Sequence, residues 1–208
     1  MTPDRVAELL SPFLEDAHLS ASHLGLIATY TDLLMKWNAR INLTAVRDPE
    51  TIVARHFGES LFAAKHLFPI PATNQSAIDV GSGAGFPGLP LKIWSPALAL
   101  TLVEANQRKA VFLREVVRTL GLSGVNVFAG RAEHISEQAD VVILRAVESF
   151  EHILAIAHNL IAPKGRIAIL IGMSQVQTAT STLSDIRWRD SVPLPQSHSR
   201  SLLVGQLA

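Results

Sequence analysis

Hydrophobic and polar residues follow two different rhythms along this chain, and the rhythm changes near residue 70. From Thr2 to about Leu67 apolar residues recur at three- and four-residue spacing, the period of helices with one buried face. Ser20 stands as an N-cap before Leu24, Ile27, Leu34, Trp37 and Ile41. Asp48-Pro49 marks another helix start, followed by Ile52, Val53, Phe57 and Leu61. Pro69 and Pro71, with Ala72-Thr73-Asn74-Gln75 behind them, break the pattern.

Past the break, short apolar runs alternate with amphipathic stretches. Strands are expected over 76–80, 98–103, 125–129, 141–144 and 166–171, and helices over 89–94, 107–120 and 150–161. In the second helix Ala110, Leu113, Val117 and Leu120 share one face, and Gly121 ends it. The remainder predicts a helix over 175–184 and strands near Trp188 and over 201–205. Strand–helix alternation implies an α/β fold, Rossmann-like, with a mostly parallel sheet covered on both faces. The expected division is a helical N-terminal extension, 1–70, and one compact unit, 71–208.

Composition narrows the class. A chain of 208 residues, 48% hydrophobic and 17% charged, has the material for one large core. No apolar run approaches the roughly 18 residues of a membrane span, and Met1-Thr2-Pro3-Asp4-Arg5 lacks a signal-peptide pattern. A cytoplasmic protein away from membranes is expected. Cysteine is absent, which closes thiolate metal sites and cysteine nucleophiles. His56 has no second ligand at useful spacing, so no metal is expected. The 18 basic and 18 acidic residues cancel, so any nucleic-acid role must use a local patch or a shaped target.

The chemistry concentrates after the first strand, in Ala77-Ile78-Asp79-Val80-Gly81-Ser82-Gly83-Ala84-Gly85-Phe86-Pro87-Gly88. In an open parallel sheet this strand-to-helix turn is where a ligand binds, and its glycines let backbone approach the ligand. The spacing fits two cofactors. Gly83-x-Gly85-x-x-Gly88 matches a dinucleotide fingerprint, and Asp79-x-Gly81-x-Gly83-x-Gly85 matches a methyltransferase one. A pyrophosphate would meet the Asp79 carboxylate at the helix N-terminus, whereas the sulfonium and ammonium groups of S-adenosylmethionine suit it. Glu104, about 20 residues on, is placed for two ribose hydroxyls, and Asn106 for the adenine edge.

With these residues the chain resembles the RsmG (GidB) family, S-adenosylmethionine-dependent methyltransferases acting on guanine N7 of 16S ribosomal RNA. The resemblance is carried by Lys36-Trp37-Asn38, by Asn42 to Pro49 (NLTAVRDP) and by Arg55-His56. Gly85-Phe86-Pro87-Gly88, Glu104, Gly130-Arg131-Ala132-Glu133 and Arg145-Ala146 extend it across most of the chain. It implies a class I methyltransferase fold with a seven-stranded sheet. It also implies a cofactor pocket at Gly81, Phe86, Glu104, Ala105, Asn106, Ala132, Glu133 and Arg145, beside Asp79, Gly83 and Gly85 of the loop. Departures from the family pattern fall at Gly58, Glu59, Leu144 and Ile171-Gly172.

Guanine N7 is an exposed lone pair that needs no deprotonation, so transfer by proximity and alignment requires positioning residues rather than a general base. Arg145, Asn42, Arg55 and His56 are the candidates, with Asn38 beside them. Arg145 can reach the base or the cofactor carboxylate, or instead pair with Glu133 or Glu148. Trp37 reads as core. Candidate phosphate contacts are Lys36, Arg40, Arg47 and Arg55, and more weakly Arg108, Lys109, Arg114 and Arg118, which fit a solvated face. The expected partner is 16S ribosomal RNA within the small subunit or an assembly intermediate, met by a monomer. The competing readings are a methyltransferase for a small molecule or protein, a dinucleotide-dependent oxidoreductase and a cofactor-binding RNA chaperone.

Overall fold

The first five strands run parallel, and the sheet reverses its order of growth in the middle. A computed structural model describes residues 1–71, 74–146 and 149–208. The chain lays down β1 (Ser76–Val80), β2 (Ala99–Val103) and β3 (Val125–Phe128) toward one edge, then returns so that β4 (Ala139–Arg145) lies beside β1 and β5 (Ile161–Gly172) beside β4. The crossover helices are α5 (Gly88–Trp94), α6 (Gln107–Thr119) and α7 (Phe150–Asn159). Such a reversal opens a crevice at the carboxyl ends of the two central strands. In register Val80 faces Val103 on one side and Leu144 on the other. The residues following these three positions therefore emerge together.

The second half of the sheet is antiparallel. β8 (Arg200–Leu207) pairs with β5, and β6 (Ile186–Trp188) pairs with β8. The seven expected strands are present, and an eighth of two residues, β7 (Val192–Pro193), also pairs with β8. The expected bounds of β5 and α7 need correction. Ile161 leaves the helix to pair with Ala139, and after a register shift Arg166 pairs with Val141. The fifth strand therefore starts five residues earlier than the 166–171 run suggested. The helix expected over 175–184 is α8 (Val176–Thr182), entered by a 3-10 turn.

Strand parity sorts the core into two layers. Ile78, Val80, Val142, Leu144, Ile167 and Ile169 pack on the α7–α8 side. Ala77, Leu100, Leu102, Val141, Ile143 and Ala168 face the other way, into a cluster shared with the N-terminal helices. Those helices are α1 (Pro3–Leu14), capped by Thr2, and α2 (Ala21–Ile41), capped by Ser20 as expected. On α2 the expected Ile27 and Leu34 are fully buried, while Leu24, Trp37 and Ile41 pack at the margin, Trp37 against Phe112. Asp48 caps α3 (Pro49–Thr51), but the helix it starts is not regular. Ile52–Gly58 is π-helical, and only α4 (Glu59–Leu67) returns to α geometry.

The glycine turn is locked from beneath by α2. The Tyr30 hydroxyl donates to the Ala84 carbonyl, and its ring stacks on Phe86 with centroids 5.5 Å apart. Gly85 sits at φ +89°, and a Cβ there would come within 2.2 Å of the Tyr30 oxygen and 2.5 Å of Leu89. Backbone strain and overpacking would act together, so Gly85→Ala is expected to lower stability by about 2–5 kcal/mol. Denaturant unfolding checks this, and a loss under 1 kcal/mol would mean the turn can relax around a methyl group.

Candidate functional site

A cleft of about 1060 Å³ opens where β1, β2 and β4 end. One half is built from backbone. Gly81 and Ser82 donate to the Val103 carbonyl, which folds the turn across the end of β2. Glu104 follows β2 directly, and each of its carboxylate oxygens takes one backbone N–H, from Gly83 at 2.8 Å and Asn106 at 2.7 Å. The remaining lone pairs suit a vicinal diol such as a ribose. A Cβ on Gly83 would touch nothing nearer than 3.8 Å, so the space above the turn is open. Gly81, Gly83, Phe86, Glu104, Ala105, Ala132 and Glu133 all line this half.

The other half carries the charge. Arg145, the last residue of β4, donates to Glu59 Oε2 at 2.9 Å and lies 3.1 Å from His56 Nδ1. It also reaches the carbonyls of Arg55 and His56, which the π-helical turn turns toward it. Glu59 Oε1 meets Arg200 of β8 at 2.6 Å, so one carboxylate, 3% exposed, bridges two guanidiniums. Burial pushes the Glu59 carboxyl up while both arginines pull it down. Arg145 does not pair with Glu133, which faces His152 at 3.6 Å, and Glu148 lies outside the described residues.

His56 is fixed in one protonation state. Arginine only donates, so the imidazole nitrogen facing Arg145 must accept. The proton is then on Nε2, which donates to Thr44 Oγ1 at 2.8 Å. Burial, followed by Arg145, Arg55 and Arg200, lowers the His56 pKa to about 3. The ring stacks on Phe86, which joins the two halves of the cleft.

Four expected site residues do not line it. Asp79 has the strand parity of Ala77 and lies beneath the turn, where Oδ2 accepts from Gly88 N at 3.0 Å. Beside the turn, Glu104 is the carboxylate that faces the cleft. Gly85 points at Tyr30 instead. Asn106 caps α6, accepting from Arg108 and Lys109. Asn42 ends α2 in the left-handed region and accepts from Arg47 at 3.2 Å. Buried Asn38 has an organising role, because it holds the backbone of Leu43, Thr44 and Val46.

Of the candidate phosphate contacts, only Arg55 and Lys109 reach the cleft. Arg118 pairs with Glu115 on its own helix. Thr44 and Arg200 escaped notice in the sequence, and Glu59 was singled out only as a departure. Position in a motif marks Thr44, but only the topology of β8 brings Arg200 here. Among the described residues no group of three or more His, Asp or Glu side chains is placed to hold a metal, and no helix is long and apolar enough to cross a membrane.

Burial raises the Asp79 pKa to about 7, and among the described residues its Oδ1 has no hydrogen-bond partner. The folded protein thus keeps a proton that the unfolded chain releases above about pH 4, so this group takes stability away as pH rises toward 7. Relative to wild type, Asp79→Asn is expected to gain up to roughly 4 kcal/mol between about pH 4 and pH 8. Urea unfolding across that range measures it, and a constant difference would mean Asp79 ionises normally.

Comparison with known proteins identifies the family. Residues 24–193 match the family model described as rRNA small subunit methyltransferase G, GidB. The ribosomal RNA small subunit methyltransferase G of Chloroflexus aggregans is 38% identical over 89% of this chain and 82% of its own. That of a Roseiflexus species is 41% identical over 85% and 80%. A SAM-dependent methyltransferase from Aquifex aeolicus, 17% identical, shares the fold with a TM-score of 0.61 over 80% of this chain and 97% of its own. The spacing shared with dinucleotide sites is thereby resolved in favour of S-adenosylmethionine. The chain belongs to the rRNA small subunit methyltransferase G (GidB) family of S-adenosylmethionine-dependent methyltransferases.

Proposed function

We propose that this enzyme methylates N7 of a guanine in 16S ribosomal RNA. One observation carries the choice of atom: the groups that the charged wall turns to a ligand are chiefly donors. The Glu59 carboxylate is 3% exposed and turned to Arg145 and Arg200, and both His56 nitrogens are engaged, by Arg145 and Thr44. Foremost among the groups left for a ligand are the N–H groups of Arg55, Arg145 and Arg200 and the Thr44 hydroxyl. Guanine is the base whose major-groove edge presents two acceptors, N7 and O6, and no donor.

S-adenosylmethionine, when bound, supplies an electrophilic methyl group. Gly81, Gly83, Phe86, Glu104, Ala105, Ala132 and Glu133 would hold it, with Asp79, Gly85 and Asn106 shaping the turn and helix start around them. N7 brings its own lone pair, so no residue has to remove a proton. The chain's task is alignment, with Arg145, Arg55 and His56 in positioning roles and Asn42 ending the helix before Thr44. Residues 1–70 act as a helical extension that supplies Thr44, Arg55, His56 and Glu59 to this wall, and the unit formed by 71–208 supplies Arg145 and Arg200. Zero net charge favours a base presented by a small subunit or an assembly intermediate in the cytoplasm over naked RNA, and a monomeric enzyme suffices.

The test is transfer of labelled methyl to small-subunit RNA lacking the modification, free and within subunits, followed by borohydride and aniline cleavage at 7-methylguanine. One labelled, cleavable guanine is expected. No label on either substrate, or label without cleavage, would overturn the reading. With His56 held neutral and no base required, kcat should be flat between about pH 6 and 9. A rise with a midpoint near 6.5 would instead reveal a titrating histidine.

A further inference from the structure

The direction of one hydrogen bond in the cleft is fixed by a chain of others. Arg145 can only donate, which leaves His56 Nδ1 as acceptor at 3.1 Å and puts the proton on Nε2. Nε2–H then donates to Thr44 Oγ1 at 2.8 Å, and Val46 N–H donates to the same oxygen at 3.2 Å. A hydroxyl has two acceptor sites and one proton. Both acceptor sites of Thr44 are filled, and among the described residues its proton has no acceptor. Thr44 lines the cleft. Its backbone cannot swing away, because Asn38, 2% exposed, accepts from Thr44 N at 3.0 Å and donates to Thr44 O at 2.9 Å.

We infer that Thr44 reads the identity of the target base, donating its hydroxyl proton to a carbonyl oxygen on the base edge beside the methylated nitrogen. This rests on the guanine N7 reading, in which that oxygen is O6. A hydroxyl free to rotate would accept a hydrogen bond from the amino group of adenine as readily as it donates to O6. The Arg145–His56–Thr44 chain removes that freedom. An adenine amino group would meet a proton instead of a lone pair, which leaves two donors facing each other in a half-buried site. Arg145 thus acts on base selection through two intermediaries, in addition to its own contact with the cleft.

The experiment compares RNA bearing guanine with RNA bearing 2-aminopurine at the target position, which keeps N7 but lacks O6. The ratio of kcat/KM for the two is measured in wild type, Thr44→Val and Thr44→Ser. Because it is a ratio within one preparation, it does not depend on the fraction of enzyme that is folded. The preference for guanine should fall about tenfold in Thr44→Val, the size of one neutral hydrogen bond, and return in Thr44→Ser. S-adenosylhomocysteine affinity should be equal in all three. An unchanged preference in Thr44→Val, while wild type still methylates guanine N7, would overturn the role of Thr44 alone. Absence of N7 methylation by wild type would overturn the parent reading, and this one with it. Nitrogen-15 NMR of His56 provides a check without any variant. Nε2 protonated and Nδ1 bare is expected, and a proton on Nδ1 would overturn the inference.

Discussion

A single carboxylate ties the charged half of this molecule together. Glu59 is nearly inaccessible to water and lies between Arg145 from the middle of the sheet and Arg200 from its antiparallel part. A buried carboxylate is costly alone, and so is each buried guanidinium, so the three positions depend on one another. Their elements come from three distant stretches of chain: the N-terminal helices, β4 and β8. The charges can be satisfied only when all three have docked. Gly58, one residue earlier, belongs to the same arrangement. A Cβ there would come within 2.6 Å of the Phe13 ring, so its absence lets α1 close over this helix. Two of the departures from the family pattern, Gly58 and Glu59, are therefore adjacent parts of one packing solution.

Much of the fold is written in short-range pattern. β1 was legible to the residue because an apolar run between a proline-rich break and a glycine turn has few other uses. The glycine turn and Glu104 were legible for a similar reason, since the topology of a parallel sheet dictates where the first turn and the second strand end. The π-helical stretch was not. Ile52, Val53, Phe57 and Leu61 satisfy a helical period whether or not one turn is wider, and only the carbonyls offered to Arg145 betray the difference.

Side-chain direction was the harder problem. Charge complementarity with a sulfonium puts Asp79 beside the cofactor, but charge says nothing of which face of the strand carries it. Counting strand parity from Ala77 places it on the opposite face, among Leu102 and Gly88. Asn42 and Asn106 are ambiguous in principle, because asparagine is both a good ligand for a base and a good helix cap. The Thr44–His56 pair was invisible for a different reason. Its meaning lies in the direction of a proton, which depends on a third residue 89 positions further on.

The contact between Tyr30 and the glycine turn has a thermodynamic corollary. The turn that would hold the cofactor has its Ala84 carbonyl bonded by a residue of the second helix, and Phe86 is wedged between the Tyr30 ring and His56. Cofactor binding at this turn and docking of α2 would then be linked equilibria. Binding at the turn would then tighten a helix that lines no part of the cleft. In the same measure, anything that loosens α2 from the sheet lowers occupancy of the cleft without altering one residue that lines it.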